Sequence, residues 1–382
     1  MDFNLTEEQT MLRKMVREFA ETEIKPKAFE LDRKEQFSVE ITRKMGEMGF
    51  LGALCDPKYG GQGMDTLSYV ILVEELARVD ASQAATVAAH NSLGVGPIWN
   101  FGNESQKQKY LPDLCAGKKL WSFGLTEAGA GSDASNSKTT AQLKNGQWSI
   151  NGSKIFITNG ANPLTGGCTV QAITGTQNNK KEISCILVEQ NTPGFVAKEM
   201  HHKMVWRSSN TAELYFTDVH VPEENLLGKR GEGFKQMLQT LNGGRLGIAA
   251  MGLGGAQGAF EEALRYTQER QAFGRPIAGF QVNAFKLADC ATEIEAARNL
   301  LYKACWMKDQ GKDFRMIAAQ AKLYCSEVMH RVVNHAVQLH GGYGLMEEYP
   351  VARFYRDQKL LEIGEGTSEI QRLVISRELG CQ

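Results

Sequence analysis

Hydrophobic residues recur with a helical period in the first part of the chain, to about residue 120. The first predicted helix carries the apolar residues Met11, Leu12, Met15, Val16 and Phe19. Thr6 and Gln9 have the spacing of a capping box at its start, and Ser38 has the position of an N-cap for a second helix. Residues 56–63 predict a loop, because they hold a proline and three glycines. Two more helices are predicted at 67–76 and 82–89.

From about residue 121 to 227 the hydrophobic period shortens to two, which is typical of β-strands. The Asn-Gly pair at 145–146 predicts a hairpin turn. The Asn-Gly pair at 151–152 predicts a second turn between two short strands. Further strands are predicted around 183–187 and 214–219. This middle part is therefore predicted to be a small β-domain.

Long helical patterns return from Gly231 to the end, and the strongest of them run over 284–307 and 316–339. The order of helices, strands and helices argues against a Rossmann fold, which needs strands that alternate with helices. The sequence predicts three domains: a helical domain at 1–120, a β-domain at 121–230 and a helical bundle at 231–382.

The composition is that of an ordinary globular protein, with 42% hydrophobic and 23% charged residues among 382. The 43 basic and 44 acidic residues nearly cancel, so nothing indicates binding to nucleic acid or to a charged membrane surface. No stretch of about 18 apolar residues predicts a membrane span. The opening residues MDFNLTEEQ do not have a signal-peptide pattern. We expect a cytoplasmic bacterial protein, or a mitochondrial matrix protein after processing.

Cysteine and histidine patterns exclude several classes of enzyme. The eight cysteines form no CxxC pair and have no zinc-finger spacing, so all eight are predicted to be buried structural thiols. The seven histidines form no HExxH motif, and no metal site is predicted. Neither a GxSxG nucleophile motif nor a Walker A motif is present.

Three segments are candidates for chemistry, and each also has a purely structural interpretation. The glycine-rich segment 124–133 could bring its backbone close to an anionic ligand, or be a surface turn. The glycines at 341, 342 and 344 could end a helix, or let a cofactor pass closely. Glu365, which precedes Gly366, could be a base that a substrate reaches, or an exposed carboxylate before a helix capped by Thr367.

Taken together and in order, these segments resemble the flavin-dependent acyl-CoA dehydrogenases. The resemblance covers essentially the whole chain and includes LTEEQ at 5–9 and YGG at 59–61. Its main motifs are FGLTE with GSD (123–127, 131–133), GSKIFITN (152–159), ERQAFG with FQ (269–274, 280–281), QLHGGYG (338–344) and EGTSE (365–369).

The resemblance implies a fold that is mainly α with a central β-domain: an N-terminal helical domain, a middle β-barrel and a C-terminal four-helix bundle. It implies FAD as the cofactor, an acyl-CoA substrate, and a homotetramer or dimer that shares flavin contacts between subunits. It also implies that electrons pass to an electron-transfer flavoprotein.

The resemblance also assigns roles to individual residues. Glu365 is implied to be the catalytic base. The residues implied to bind FAD are Phe123, Leu125, Thr126, Gly131, Ser132, Phe156, Ile157, Thr158, Arg270, Phe273, Gln281, Gln338, Gly341, Gly342, Thr367 and Glu369. The residues implied to lie along the acyl-CoA are Ser132, Asn242, Arg245 and Gly366.

The implied reaction is α,β-dehydrogenation to the trans-2-enoyl-CoA, with Glu365 taking the α-proton and the β-hydride passing to flavin N5. The thioester oxygen would be bound by the Glu365 main-chain N–H and a ribitol hydroxyl of the flavin. Some relatives place the base at the position of Gly244, which cannot act as one, and this favours Glu365.

We expect a short-chain substrate in β-oxidation. Gly364 stands where many relatives have tyrosine, which would instead suit a branched or cyclic acyl group. Trp206 replaces a smaller residue, with no predicted consequence. The same site could also run as an enoyl-CoA reductase. A non-catalytic partner that kept only the fold is the third hypothesis, and the intact motifs argue against it.

Overall fold

The computed structural model describes residues 4–177 and 180–381, and the first of these stretches begins with helices. The predicted capping box is confirmed: the Thr6 side chain accepts from the Gln9 main chain and the Gln9 side chain accepts from Thr6. Ser38 likewise accepts from Ile41 N–H. The helices here are α1 (Glu7–Phe19), α2 (Lys25–Arg33), α3 (Val39–Glu47), α4 (Thr66–Ala77), α5 (Ala81–Ala89), α6 (Gly96–Phe101) and α7 (Glu104–Cys115), with π-helical turns at Ala20–Ile24 and His90–Val95.

The middle of the chain forms one sheet of eight strands in the order β6-β7-β3-β2-β4-β5-β8, with β1 paired parallel to β4. The predicted Asn-Gly hairpin at 145–146 is confirmed between β2 and β3. The strands are β1 (Leu120–Gly124), β2 (Thr140–Lys144), β3 (Gln147–Thr158), β4 (Thr165–Gln177), β5 (Lys180–Glu189), β6 (Phe195–Glu199), β7 (Thr211–Pro222) and β8 (Leu226–Leu227).

The predicted turn at Asn151-Gly152 is wrong, because β3 continues through this pair as a single strand. The register against β7 shifts between Ile150 and Gly152, so the pair forms a bulge. Asn151 exchanges two hydrogen bonds with Asp218 of β7, at 2.9 Å each. A Cβ atom at Gly152 would lie 2.5 Å from Thr139 Oγ1, so a neighbouring segment requires glycine there. The local Asn-Gly pattern predicts a turn because it does not include such long-range contacts.

The chain returns to helices after β8. The elements of this part are α8 (Gly233–Glu269), β9 (Gln271–Ala272), β10 (Arg275–Pro276), α9 (Gln281–Asp309), α10 (Arg315–His340), α11 (Pro350–Leu361) and α12 (Ser368–Glu378). The long helices predicted at 284–307 and 316–339 correspond to α9 and α10. We propose domain boundaries near residues 120 and 230, because the large sheet lies between them.

One hydrophobic core joins the first and last parts of the chain, with members from Val16 of α1 to Leu361 of α11. Helix α8 is central to it and packs against α4 and α10. Its glycines permit the approach to α4: a Cβ atom would lie 2.1 Å from the Glu74 carbonyl oxygen at Gly254 and 2.0 Å from that of Arg78 at Gly258. The sheet has a separate core around Trp148 and its neighbours.

The prediction that all eight cysteines are buried is wrong for one of them. Seven cysteines are buried, but Cys381 is exposed after the end of α12. The sequence pattern around Cys381 gave no sign of this, since burial depends on where the last helix ends. Among the described residues, no helix combines the length and the apolar character that crossing a bilayer would require.

Candidate active site

Glu365 lies in a tight turn between α11 and α12. Its φ is 51° and that of Gly366 is 96°, so two successive residues have left-handed backbone. Such a conformation strains a residue with a side chain, and strain of this kind persists where the surroundings hold it. Thr367 then caps α12, because its side chain accepts from Ile370 N–H at 3.3 Å. The turn therefore points the Glu365 side chain in a fixed direction.

The Glu365 carboxylate faces helix α8 at Gly244. A Cβ atom at Gly244 would lie only 1.9 Å from Glu365 Oε2, so this glycine makes room for the carboxylate. Oε2 is buried and has no hydrogen-bond partner among the described residues. Burial raises the pKa of Glu365 to about 7, although the positive charges of Lys322 and Arg245 act in the opposite direction. The result is a carboxylate that can take up a proton near neutral pH.

Three further polar side chains surround the carboxylate. Arg245 is buried, donates to Asn242 Oδ1 at 2.7 Å, and leaves its Nε without a partner among the described residues. Lys322 of α10 is fully buried and donates to the Gly366 carbonyl at 2.7 Å. Tyr69 of α4 is buried, and burial together with the Glu365 charge raises its pKa well above the usual range. The predicted substrate residues Asn242, Arg245 and Gly366 therefore lie together with Glu365.

The glycine-rich segment 124–133 is fixed to the sheet by an acidic side chain, Glu127, that its sequence pattern does not single out. Glu127 accepts hydrogen bonds from the main chain of Lys138 and Thr139 at 2.7 and 3.0 Å. It also forms an ion pair of 2.8 Å with Lys154, whose side chain is fully buried. Burial alone would raise the pKa of Glu127, but Lys154 and these hydrogen bonds lower it to about 2.

This anchoring leaves the outer part of the segment open. A Cβ atom added at Gly129 or Gly131 would have no other atom of the described residues within 4 Å, and Ser132 is exposed. Leu125 and Thr126 lie beside β3, since Thr126 accepts from Ile155 N–H at 2.9 Å and Leu125 accepts from Lys154 Nζ. The two flavin motifs predicted in the middle domain are thus neighbours in space.

In the second of these motifs, the neighbouring side chains of Phe156 and Ile157 have different surroundings. Phe156 is 63% exposed and has a left-handed backbone with φ of 61°. Ile157 is buried in the core of the sheet, so only its main chain is available to a ligand. Thr158 is half-buried at the end of β3, and Phe123 is buried in β1. A large aromatic ring that is left exposed beside an open glycine loop fits a planar ligand.

Another group of predicted cofactor residues lines an open cleft of about 590 Å³ between α8 and the end of α10. Arg270, Gln338, Gly341 and Gly342 all contribute to it. Gly341 has φ of 60°, and within the described part of the chain a Cβ atom at Gly341 or Gly342 would have no other atom within 4 Å. Glycine here therefore serves both as the helix C-cap and as an unobstructed surface.

Phe273 and Gln281 do not line this cleft and are exposed on the outside of the subunit. Phe273 is 96% exposed, has φ of 51°, and packs edge-on against Phe280 at 6.0 Å between ring centroids. Gln281 is exposed at the first position of α9. An aromatic side chain with almost no cover within its own chain is a feature of surfaces that meet another molecule.

The predicted site residues thus fall into three groups: the middle-domain motifs, the cleft with Phe273 and Gln281, and the turn at Glu365. Thr367 and Glu369 belong to the last group, where Glu369 is exposed at the start of α12. Within the described ranges, no hydrogen bond, ion pair or ring contact joins one group to another. The open glycines, the exposed Phe156 and the unpartnered carboxylate oxygen fit a large planar cofactor and a substrate between the groups.

Lys322 and Tyr69 were not among the predicted site residues. Lys322 lies among Ala318, Ala321 and Cys325 on the apolar face of α10, and all of them are buried. A lysine on the buried face of a long helix is a signal that the sequence did offer. Tyr69 lies in a helix that is buried along most of its length, so its pattern gives no such signal.

Three family models match consecutive parts of the chain. The acyl-CoA dehydrogenase N-terminal domain matches residues 6–118, the middle domain 122–219 and the C-terminal domain 231–380. The chain therefore belongs to the acyl-CoA dehydrogenase family, and the fold expected from the resemblance is confirmed.

Curated relatives match over nearly their full length. A probable acyl-CoA dehydrogenase of Bacillus subtilis is 48% identical, covering 99% of this chain and all of the relative. A short-chain specific acyl-CoA dehydrogenase of Clostridium acetobutylicum is 47% identical with the same coverage. An acryloyl-CoA reductase (NADH) of Anaerotignum propionicum is 43% identical, covering 99% of this chain and 96% of the relative.

Solved structures agree with this assignment. Butyryl-CoA dehydrogenase of Megasphaera elsdenii has a TM-score of 0.95 at 46% identity, covering 99% of this chain and 100% of its own. A chain from a structure of the electron transferring flavoprotein of Acidaminococcus fermentans has a TM-score of 0.96 at 46% identity, covering 99% of both chains. A glutaryl-CoA dehydrogenase of Mycobacterium smegmatis with FADH2 has a TM-score of 0.94 at 31% identity, covering 99% and 96%.

Proposed function

We propose that this acyl-CoA dehydrogenase uses FAD to oxidise a short-chain acyl-CoA to its trans-2-enoyl-CoA, with Glu365 as the base. The observation that carries the proposal is the Glu365 carboxylate, which is buried against Gly244 with Oε2 unpartnered among the described residues. A carboxylate with a pKa of about 7 can be ionised at neutral pH and still accept a proton. Structural glutamates are normally exposed or paired.

The residues around Glu365 complete the proposed reaction. Glu365 takes the α-proton of the thioester, which is only weakly acidic unless the developing oxygen charge is stabilised. The main-chain N–H of Glu365 is the proposed donor to that oxygen, and the buried Arg245 adds positive charge nearby. Closure of the site by substrate removes water and makes the carboxylate a stronger base.

We propose that FAD is held by the open glycine segments and the exposed aromatic residues described above. When bound, it supplies the acceptor for the hydride equivalent that leaves the β-carbon. Phe123, Leu125, Thr126, Gly131 and Ser132 would line it from the glycine-rich segment, and Phe156, Ile157 and Thr158 from β3. Thr367 and Glu369 would approach it from α12.

The proposal is tested with Glu365→Gln, which keeps the shape of the side chain but removes its basicity. We expect the variant to purify with its yellow flavin and to lose turnover by about 10³-fold, since general bases contribute on the order of 10²–10⁴-fold. Anaerobic addition of butyryl-CoA should bleach the wild-type flavin and leave that of the variant coloured.

Glu362→Gln is the matched control, because Glu362 lies three residues earlier and pairs with Lys359 and His330. It should bleach at a rate close to that of the wild type. A colourless protein without affinity for FAD would disprove the proposal, and so would an active Glu365→Gln variant.

A branched or cyclic acyl group is the second candidate substrate, and Gly364 favours it. A Cβ atom at Gly364 would meet the Leu360 carbonyl oxygen at 3.3 Å, so a side chain here must displace its surroundings or extend away from α11. The absence of a side chain at Gly364 leaves room beside Glu365, the proposed base. Flavin bleaching with straight, branched and cyclic acyl-CoAs of equal carbon number distinguishes the two candidates.

We propose that electrons leave to an electron-transfer flavoprotein, as the similarity to a chain from such a structure suggests. The reverse reaction, reduction of an enoyl-CoA, is the alternative, because one relative is named as a reductase. The direction depends on the potential of the electron partner. Comparing the rate of butyryl-CoA oxidation with that of crotonyl-CoA reduction, each with the matching donor or acceptor, tests it.

We further propose a homotetramer in which Arg270, Phe273, Gln281, Gln338, Gly341 and Gly342 meet the flavin of a neighbouring subunit. The support is that four of these residues, Arg270, Gln338, Gly341 and Gly342, line an open cleft and that Phe273 is 96% exposed. The Phe273 ring has almost no cover from its own chain. An aromatic ring exposed in this way is typical of a surface that another molecule covers.

A further inference from the structure

Two buried side chains on different helices donate hydrogen bonds to the main chain of the turn that carries Glu365. Lys322 Nζ of α10 donates to the Gly366 carbonyl at 2.7 Å, and Gln371 Nε2 of α12 donates to the same oxygen at 2.9 Å. Neither side chain is exposed. Gln371 also reaches the Glu365 carbonyl, at 3.3 Å. The two left-handed residues are therefore fixed by their main-chain oxygens.

Lys322 differs from Gln371 because it also brings a charge. A fully buried ammonium group is costly unless an anion compensates it. No salt bridge within 4.0 Å involves Lys322 in the described part of the chain, and its one hydrogen bond there goes to a neutral carbonyl. Among the anions that act on it, Glu365 has the largest effect, followed by Glu362 and Glu369. Glu362 already pairs with Lys359, and Glu369 is exposed.

The charges that face Glu365 come from each helix packed around it. Lys322 acts from α10 and Arg245 from α8, while Tyr69 of α4 is neutral because burial raises its pKa. Burial lowers the pKa of Lys322 to about 8, which leaves the amine protonated at neutral pH. Arg245 also donates to Asn242, so Lys322 is the cation whose hydrogen bond goes to the turn itself.

We propose that Lys322 is a positioning residue for the reaction: its ammonium group fixes the Glu365–Gly366 turn and keeps the Glu365 side chain charged until it takes the α-proton. The inference rests on the proposed role of Glu365 as the base. Lys322 does not contact substrate in this arrangement. It acts through the main chain of Gly366 and through the charge of Glu365.

Two substitutions separate the two effects. Lys322→Gln keeps an N–H donor, on a side chain one bond shorter, but carries no charge, whereas Lys322→Met removes both the donor and the charge. Ser326→Ala is the control on the same helix face, because Ser326 lies one turn further along and its hydroxyl is 2.7 Å from the Lys322 carbonyl and 3.0 Å from the Leu361 carbonyl. Flavin content and thermal unfolding are measured for all three.

The decisive measurement is the pH profile of kcat/KM with butyryl-CoA, whose acid limb reports the base of the free enzyme. Loss of a neighbouring positive charge raises the pKa of a carboxylate by about one unit or more. Both Lys322 variants should therefore shift the acid limb upward by about one pH unit. Lys322→Met should also lose about tenfold in kcat above that limb, because the turn is no longer fixed. Ser326→Ala should do neither.

An acid limb that stays at the wild-type pH in both Lys322 variants would overturn the inference. If Lys322→Met does not fold, the Lys322→Gln profile decides the question alone. Glu365→Gln is measured in parallel to separate the two proposals. Turnover that survives in Glu365→Gln contradicts the base itself, whereas an inactive Glu365→Gln with unaltered Lys322 variants contradicts only the inference about Lys322.

Discussion

At the scale of single residues, Glu365 shows that a buried carboxylate carries a cost in stability. Its pKa is raised from 4.5 to about 7 in the folded protein by burial. Both states are protonated below about pH 4.5, so the cost is absent there. Between pH 4.5 and about 7 the unfolded state ionises this carboxyl while the folded state keeps it protonated, so stability falls across that range and levels off above it.

Glu365→Gln should therefore be more stable than the wild type above pH 7, by up to about 3 kcal/mol, since each pKa unit corresponds to about 1.4 kcal/mol. Near pH 4.5 the two proteins should have nearly the same unfolding temperature. Thermal unfolding at a series of pH values checks this. Glu47→Gln, at an exposed position of α3, should show no such divergence. Equal unfolding temperatures at pH 8 would contradict the buried charge.

Gly244 supplies a second prediction at this scale. An alanine here would place its Cβ 1.9 Å from Glu365 Oε2, whereas at the adjacent Gly243 the nearest atom is Lys308 Nζ at 4.0 Å. The carboxylate is the end of a flexible side chain, so it would move aside at little cost. Gly244→Ala should keep its stability, because alanine favours a helix by up to about 1 kcal/mol over glycine.

Its activity should nevertheless fall by about 100-fold or more, since the proposed base is displaced. Gly243→Ala shares the helix and the chemical change, and its loss should be much smaller. The measurement is kcat/KM together with thermal unfolding for both variants. A Gly244→Ala enzyme with wild-type kcat/KM would show that the carboxylate does not need this position.

The residues of the site differ in how far the sequence could reveal them. Glu365 has no distinctive local pattern, and it stood out because five motifs occur in order around it. Lys322 and Tyr69 approach Glu365 only after α4, α10 and the last turn have packed together. The partners of a side chain in a helix core depend on contacts distant in sequence, so no local pattern identifies them.

At the scale of elements, β3 connects the glycine-rich segment to the sheet through the Glu127–Lys154 ion pair. Lys154→Met would leave the Glu127 carboxylate buried without its cation, which costs about 3–5 kcal/mol. The segment would lose its anchor, and we expect the variant to lose FAD during purification. Flavin absorbance per subunit and thermal unfolding measure both effects.

The double variant Lys154→Met with Glu127→Met removes the unpaired charge and should recover much of the lost stability. Glu182→Gln is a control in the same sheet, because its pair with Arg230 is partly exposed. Such a pair contributes about 1 kcal/mol or less. Full flavin content in Lys154→Met would contradict the anchoring role.

The elements also show which features a sequence pattern can predict. Capping by Thr6 and Ser38 depends on residues three positions apart, and the Asn-Gly hairpin at 145–146 depends on its own two residues, so these predictions are confirmed. The bulge at 151–152 depends on Asp218 and Thr139, which are distant in sequence. The same pair of letters therefore gives a turn in one place and a bulge in the other.

At the scale of the whole molecule, Trp206 connects the β-domain to helix α11, a contact that no sequence pattern predicted. Its main-chain N–H donates to Asp357 Oδ1 at 2.8 Å and its indole N–H to the Asp357 carbonyl at 3.2 Å. Its φ is 47°, and the side chain is buried. A large residue in this loop thus fixes the β-domain to α11, which leads into the turn at Glu365.

The exposed apolar strip at the start of α9 leads to a prediction about assembly. Val282 and Phe285 are 61% and 58% exposed and lie on one helix face, just after Phe280, against which Phe273 packs. Burying such a strip against another subunit would gain about 25 cal/mol for each Å² of apolar surface. A charge at its centre should oppose that burial. Phe285→Glu should therefore have a lower mass in sedimentation equilibrium than the wild type.

Phe285→Glu should also release FAD more readily, because Gln281 and Arg270 are proposed to hold it across the interface. Trp306→Glu is the control at the other end of the same helix, where Trp306 is 49% exposed and stacks with Lys312. It should keep both the mass and the flavin of the wild type. A wild-type protein that sediments as a monomer with FAD bound would contradict the proposed sharing of the site, since each subunit would then complete it alone.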